Sequence, residues 1–218
     1  MEPIGTYLLE VQKVISEMPE QPIAATVSLL YETWRHRKQL FIFGNGGSAS
    51  TASHMANDLS KATIVVGKPR MRVIALTDNI ALITAWANDN SYDDVFKEQL
   101  ENLLEAGDLV IAISASGDSP NILRAIEFAK LCGALTVGWT GLSGGRLKET
   151  AQYCVRAPTD DVGLIESAHL VLDHLVTKQI RQRIQAEGIV GTDGTDRKRR
   201  NGTRHHSNAL PVTAGGRI

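Results

Sequence analysis

The sequence predicts an α/β protein built on a doubly wound parallel sheet. Three observations predict it. From Gln39 onward, short apolar runs alternate with segments of helix length. Leu40–Phe43 and Leu109–Ile113 are apolar throughout rather than alternating, as strands covered on both faces are. Both end directly in turns rich in glycine and serine that lead into helices. Such a pattern implies right-handed crossovers, with ligands bound beyond the carboxyl ends of the strands.

The elements follow in order. Ile4, Leu8, Val11 and Ile15 recur at helical spacing, and a second run carries Ile23, Val27, Leu30 and Trp34 with Pro22 near its start. This helical pair, residues 1–37, is expected to cover the sheet or to pack against another subunit. The α/β core is expected over 38–186. Its strands read as Leu40–Phe43, Arg72–Leu76, Leu109–Ile113, Leu135–Trp139 and, more weakly, Tyr153–Arg156. Helices are expected at Ser48–Lys61, Asn79–Ala87, Tyr92–Leu104, Ser119–Leu131 and Gly145–Thr150. The last helix, Val162–Ile184, turns Ile165, His169, Leu172, Val176 and Ile180 inward. From residue 187 to 218 the periodicity stops and Gly, Thr, Arg and Asn dominate, which reads as a disordered basic tail whose Arg197–Arg200 run is solvated.

Composition narrows the class. At 218 residues the chain is long enough for one full core. A net charge of −1 argues against a nucleic acid or a membrane surface as partner. The tail holds six Lys/Arg against three Asp/Glu, so the body before it is mildly acidic. No apolar run reaches transmembrane length, and no basic-then-apolar leader opens the chain. Cys132 and Cys154 have neither metal nor disulfide spacing and read as free core thiols, which fits a reducing cytoplasm.

The first strand runs into Gly44-Asn45-Gly46-Gly47-Ser48-Ala49-Ser50 and then a helix. Glycines let backbone amides approach an anion, the helix N-terminus adds the positive end of a dipole, and Ser48 is placed to cap that helix or donate a hydroxyl. The glycine spacing is not that of a dinucleotide fold, and no Gly-Lys-Ser/Thr makes it a nucleotide loop. The third strand ends in Ser114-Ala115-Ser116-Gly117-Asp118-Ser119-Pro120, again before a helix. Ser119 as N-cap with Pro120 in the first turn accounts for one serine. Three hydroxyls around a glycine, matched by a second loop on the same sheet, point to a phosphate nest.

With Asn88-Asp89 and Thr140-Gly141-Leu142-Ser143-Gly144-Gly145, these loops resemble the sugar isomerase (SIS) family in its phosphoheptose isomerase branch, from about Ile42 to Ile184. The resemblance implies a flavodoxin-like sheet of five strands. It implies a homotetramer whose sites are completed across subunit interfaces. Asn45, Gly46, Gly47, Ser48, Ser114, Ala115, Ser116 and Ser119 would then hold the phosphosugar, with Asn88, Asp89 and Glu166 also on the substrate.

Aldose–ketose isomerisation moves a proton between neighbouring carbons through an enediol(ate). It needs a base, an acid and stabilisation of the developing oxyanion, the last of which zinc can supply. His54 and Asp58, four apart, share a helix face, while Glu166 and His174, eight apart, lie about 80° around theirs. Two carboxylates and two imidazoles on two helices make a zinc set. The resemblance implies the same four positions: a His with a Glu four residues on, and a Gln with a His eight residues on. They bind zinc and contact substrate in that branch, with the Glu and the distal His as base and acid. Here they read His54, Asp58, Glu166 and His174, so Glu becomes Asp and Gln becomes Glu. Asp58 is therefore the expected base and His174 the acid, with Glu166 the alternative base and His169 a supporting residue. A branch of the same family that binds a replication initiator lacks the distal His, so His174 favours an enzyme. The expected activity is conversion of sedoheptulose 7-phosphate to an aldose heptose 7-phosphate. The competing readings are isomerisation of a hexulose or pentose phosphate, and a non-catalytic SIS module that binds a phosphosugar or a partner protein.

Overall fold

The computed structural model describes residues 3–187. Apart from Glu187, the expected tail lies outside them. Two helices, α1 (Ile4–Ser16) and α2 (Glu20–Arg35), lead into β1 (Gln39–Gly44) and α3 (Gly47–Lys61). Then follow β2 (Arg72–Ala75), α4 (Ile80–Asp89), a 3₁₀ turn at Tyr92–Asp94, and α5 (Lys97–Leu103). The second half comprises β3 (Leu109–Ile113), α6 (Pro120–Leu131), β4 (Leu135–Thr140), α7 (Leu147–Thr150), β5 (Tyr153–Arg156) and α8 (Val162–Ala186).

The five strands are all parallel in the order β2-β1-β3-β4-β5. This is the doubly wound order whose switch point falls between the first and third strands. The pleat divides the core. Leu40, Ile42, Leu109, Ile111, Ile113, Val137 and Trp139 face α2, α3 and α8 on one side. Phe41, Phe43, Val110 and Ala112 face α5, α6 and α7 on the other. Each of these side chains is fully buried; such burial contributes about 1.5–3 kcal/mol per large apolar residue. β1 and β3 are apolar on both faces because helices cover both.

The edges differ. β2 exposes Arg72 and Ile74, and β5 exposes Tyr153 and Arg156, which explains the weaker apolar signal of β5. The expected single helix Tyr92–Leu104 is broken: Ser91 Oγ accepts from the Asp93 amide at 3.1 Å. Arg124 then ties Asp94 and Asp93 to α6, at 2.9 and 3.1 Å. The helix expected from Gly145 starts only at Leu147, because Gly144 and Gly145 adopt φ of 76° and 50°.

The α2 stripe Ile23, Val27, Leu30 and Trp34 is buried as expected. The α1 stripe is not: Val14 is the only residue of that helix counted as buried, and Ile4 and Leu8 are 84% and 62% exposed. On α8 all five inward residues are buried. α8 packs against α1, α2 and α3, and so lays its side chains beside the helix that starts at the first glycine loop. Cys132 and Cys154 are free but only half-buried; burial pushes the Cys154 thiol up.

Candidate active site

The site lies at the carboxyl ends of β1 and β3, the switch point of the sheet. Gly44 ends β1 where a Cβ would press against the Ser48 and Ile113 carbonyl oxygens, so α3 starts tight against both strands. Gly46, with φ of 56°, occupies the N-cap position, and α3 begins at Gly47. This corrects the expectation that Ser48 caps the helix: Ser48 lies inside the first turn, buried. The Ala49 amide donates to the Gly46 and Asn45 carbonyls at 3.0 and 3.3 Å, whereas among the described residues the Gly47 and Ser48 amides have no backbone acceptor, as first-turn amides do at a helix N-terminus.

The β3 loop is shaped by its own side chains. Ser114 Oγ accepts from the Gly117 amide and Ser116 Oγ from the Asp118 amide, both at 3.2 Å. Asp118 Oδ1 accepts from the Arg146 amide at 2.9 Å. Gly117, at φ 72°, lies so close to the Gly144 carbonyl that any Cβ would overlap it, which locks this loop to the Thr140–Gly145 turn. Ser119 takes the N-cap position of α6 without a side-chain capping bond, leaving its hydroxyl uncommitted.

The two glycine loops are joined by a reciprocal amide pair. Asn45 Nδ2 donates to Asn121 Oδ1, and Asn121 Nδ2 donates to Asn45 Oδ1, each at 2.9 Å. Tyr92 adds its hydroxyl to Asn45 Oδ1 at 3.1 Å. Sequence reasoning missed Asn121 and Tyr92. Asn45, whose amide is expected on the substrate, also uses its side chain to fasten one loop to the other.

Beyond the loops, α3 and α8 bring together His54, Asp58, Asp173 and His174, with one potential ligand atom of each within 4.8 Å of the others. His54 Nε2 and His174 Nε2 are 3.2 Å apart. Asp58 Oδ2 lies 3.6 Å from His54 Nε2 and 3.9 Å from His174 Nε2. Asp173 is fully buried, and burial, then the nearby Asp58 carboxylate, push its carboxyl up to about 7. This cluster of histidines and aspartates is able to bind a metal ion.

Three of the four residues expected in a zinc set are thus adjacent, and the fourth is not. Glu166 stands apart from the cluster, its carboxylate lying against Gly47 at the start of α3, where a Cβ would overlap it. Asp173 takes the remaining place. Its signal in the sequence is an acid on the inward stripe of an otherwise apolar helix face, four residues after His169. Asn88 and Asp89 end α4, both exposed, with Asn88 Nδ2 donating to Asp89 Oδ1 at 2.8 Å. Among the described residues, no hydrogen bond ties either of them to the glycine loops.

His169 supports the site from below. It is buried, its Nε2 lies 3.2 Å from the Thr140 carbonyl oxygen, and its ring packs beside Trp139. Burial holds its imidazole down at about 4, against a smaller opposing effect of the Thr140 carbonyl.

Comparisons with known proteins agree with this fold. The SIS domain profile matches residues 6–141. A phosphoheptose isomerase of Akkermansia muciniphila is 37% identical over 153 residues, covering 70% of this chain and 80% of that protein. One from Trichlorobacter lovleyi is 34% identical over 176 residues, covering 81% and 89%. The solved structure of a phosphoheptose isomerase from Francisella tularensis superposes with a TM-score of 0.76 at 27% identity, covering 82% of this chain and 96% of that one.

Proposed function

The chain belongs to the SIS domain family and is a phosphosugar isomerase, and from that premise we propose that it converts sedoheptulose 7-phosphate to an aldose heptose 7-phosphate. The observation that carries this reading is the juxtaposition of two glycine–serine loops, tied by Asn45 and Asn121, with the His54–Asp58–His174 cluster on the neighbouring helices. The seven-carbon substrate is supported by the activity for which the relatives are named.

In this reading the phosphate sits on the hydroxyls of Ser48, Ser114, Ser116 and Ser119 and on the backbone amides of Asn45, Gly46, Gly47 and Ala115. With the phosphate fixed at one end, the carbonyl end of the sugar extends toward α3 and α8. Asp58 removes the proton from C1 of the ketose, and His174 moves a proton between the sugar oxygens, as an imidazole does near neutral pH. Returning a proton to C2 completes the aldose. A zinc ion held by His54, Asp58 and His174 would supply Lewis-acid stabilisation of the charge that develops on the sugar oxygens; a His174 nitrogen bound to it has no proton to give, so His174 relays one only with the metal absent or displaced from that nitrogen. The donors suit it, since imidazole nitrogens and carboxylate oxygens are ordinary zinc ligands.

One observation favours a second assignment of the base. Among the described residues the Glu166 carboxylate has no hydrogen-bond or ion-pair partner, and it lies against Gly47 at the substrate end of α3. Asp58 Oδ1, in contrast, already accepts from Asn57 Nδ2 at 3.1 Å. The D58N and E166Q variants separate the two: the base is the residue whose change abolishes turnover with both substrate binding and metal content retained.

The same proposal includes a cytoplasmic homotetramer with Asn88 and Asp89 reaching substrate across a subunit interface. The apolar side chains of Ile4, Leu8 and Leu9, all more than 60% exposed on α1, support burial against another copy. No helix among the described residues is long and apolar enough to cross a membrane. Incubating the zinc-loaded protein with sedoheptulose 7-phosphate and separating ketose from aldose tests the activity. Equilibration of the two sugars is expected, and an unchanged ketose would remove this substrate.

A further inference from the structure

We propose that Asp173 is a metal ligand of this site and that Glu166 is not, so that the centre is built from His54, Asp58, Asp173 and His174. This deepens the metal reading given above and rests on it.

Asp173 has no other structural occupation. Its side chain is fully buried in α8, one residue before His174, yet Oδ2 has no hydrogen-bond partner among the described residues. Oδ1 receives only a long bond of 3.4 Å from Thr177 Oγ1. A buried carboxylate left without a partner is costly, and such groups are found paired or on metals. The nearest positive candidate is His54, whose Nε2 lies 4.0 Å from Oδ2, too far for a hydrogen bond. That same nitrogen already faces His174 Nε2. Two neutral imidazoles that meet nitrogen to nitrogen satisfy each other with one proton, and then nothing remains for Asp173. One cation between them satisfies both nitrogens and both aspartates together.

The dimensions agree. Four N and O ligands at about 2.0–2.2 Å around a tetrahedral ion lie roughly 3.3–3.6 Å from one another. The nitrogen–nitrogen separation of 3.2 Å and the Asp58–His54 separation of 3.6 Å are already at those values. The Asp58–His174 and Asp173–His54 separations, 3.9 and 4.0 Å, need only a small closure. Glu166 precedes Asp173 by seven residues, about 10 Å along the helix axis. Its carboxylate packs on Gly47. It is left free to act on the substrate.

The test uses the full chain stripped of metal, titrated with Co²⁺ while the visible bands are recorded, and with Zn²⁺ in competition with a chelating dye. The wild type is expected to bind one metal per chain. D173N is expected to weaken zinc binding by roughly 10-fold or more and to change the cobalt bands, by analogy with the loss seen when groups supporting a metal site are removed. E166Q is expected to leave both the affinity and the bands unchanged. Circular dichroism of the metal-free variants checks their folding; if D173N does not fold, D173S takes its place. A wild type that binds no metal, a D173 variant with wild-type affinity and bands, or an E166Q variant with weakened affinity would each overturn the proposal. Isomerase activity is measured separately: loss of the Asp173 inference with turnover intact leaves the function standing. Metal binding dependent on Asp173 without turnover removes the function alone.

Discussion

The Nε2 atoms of His54 and His174 lie 3.2 Å apart although the two residues are 120 positions apart in the chain. α3 carries one and α8 the other, and the packing of those helices on one face of the sheet creates the contact. The cluster therefore depends on the fold as a whole, and replacing either histidine should affect chemistry more than stability, since both are exposed.

For His174 the expected result is a fall in kcat of about 10²–10⁴ on substitution by Gln, the range typical of a lost general acid or base. KM for the ketose phosphate is expected to change far less. Steady-state kinetics check this, and a kcat near that of the wild type would remove His174 from the mechanism.

The serines test the phosphate site. Ser116→Ala is expected to raise KM by roughly 10-fold or more, because a hydrogen bond to a charged group contributes about 1.5–3 kcal/mol. Ser119→Ala should behave similarly, since its hydroxyl makes no capping bond that would be lost. Ser114→Ala should also cost stability, because its Oγ holds the Gly117 amide. Unchanged KM across all three variants would place the phosphate elsewhere.

Gly117 is expected to tolerate no side chain. Gly117→Ala adds both a left-handed backbone cost, about 1–2 kcal/mol for a residue with a Cβ, and overlap with the Gly144 carbonyl. Gly67 shares the left-handed conformation, with φ of 78°, but has open space around it. Urea unfolding should therefore show a larger loss for Gly117→Ala than for Gly67→Ala. Equal losses would show that the interlocked loops yield easily.

Acid stability should report His169. In the unfolded chain its imidazole takes up a proton near the ordinary value of about 6.5; in the fold it does so only at about 4. The folded state is thus not penalised above the unfolded value, and stability falls as pH drops from there toward the folded value, by about 3 kcal/mol in all. From about pH 7 to about pH 5 the loss is roughly 2 kcal/mol. His169→Gln cannot protonate, so its stability should fall by about that much less over the same interval. Identical pH profiles for the two proteins, measured by urea unfolding, would contradict the burial of a neutral imidazole.

Much of this architecture is legible in the sequence for a physical reason. β1 and β3 are covered by helices on both faces, so their apolar runs are continuous, and each leads into a glycine-bearing strand-to-helix turn. The inward face of α8 is equally plain, since Ile165, His169, Leu172, Val176 and Ile180 are all buried. The break between Tyr92 and Lys97 is hidden, because it depends on Arg124 reaching Asp93 and Asp94 from another helix. In the site, the spacing of His54 and Asp58 along one helix is local and readable. The choice between Glu166 and Asp173 is not, because it rests on how deeply each side chain lies between α3 and α8. The Asn45–Asn121 pair is hidden for the same reason: its members are 76 residues apart and meet only when β1 and β3 lie side by side.

The central claim is proton transfer between neighbouring carbons of a ketose phosphate, and exchange with solvent reads it directly. The zinc-loaded protein is incubated with sedoheptulose 7-phosphate in D₂O, and the sugars are analysed by NMR and mass spectrometry. The expected result is an aldose heptose 7-phosphate carrying deuterium at C2, formed by wild type and abolished by D58N. Recovery of the ketose alone, with no deuterium at C1 and no aldose, would contradict the account and leave a module that binds a phosphosugar without transforming it.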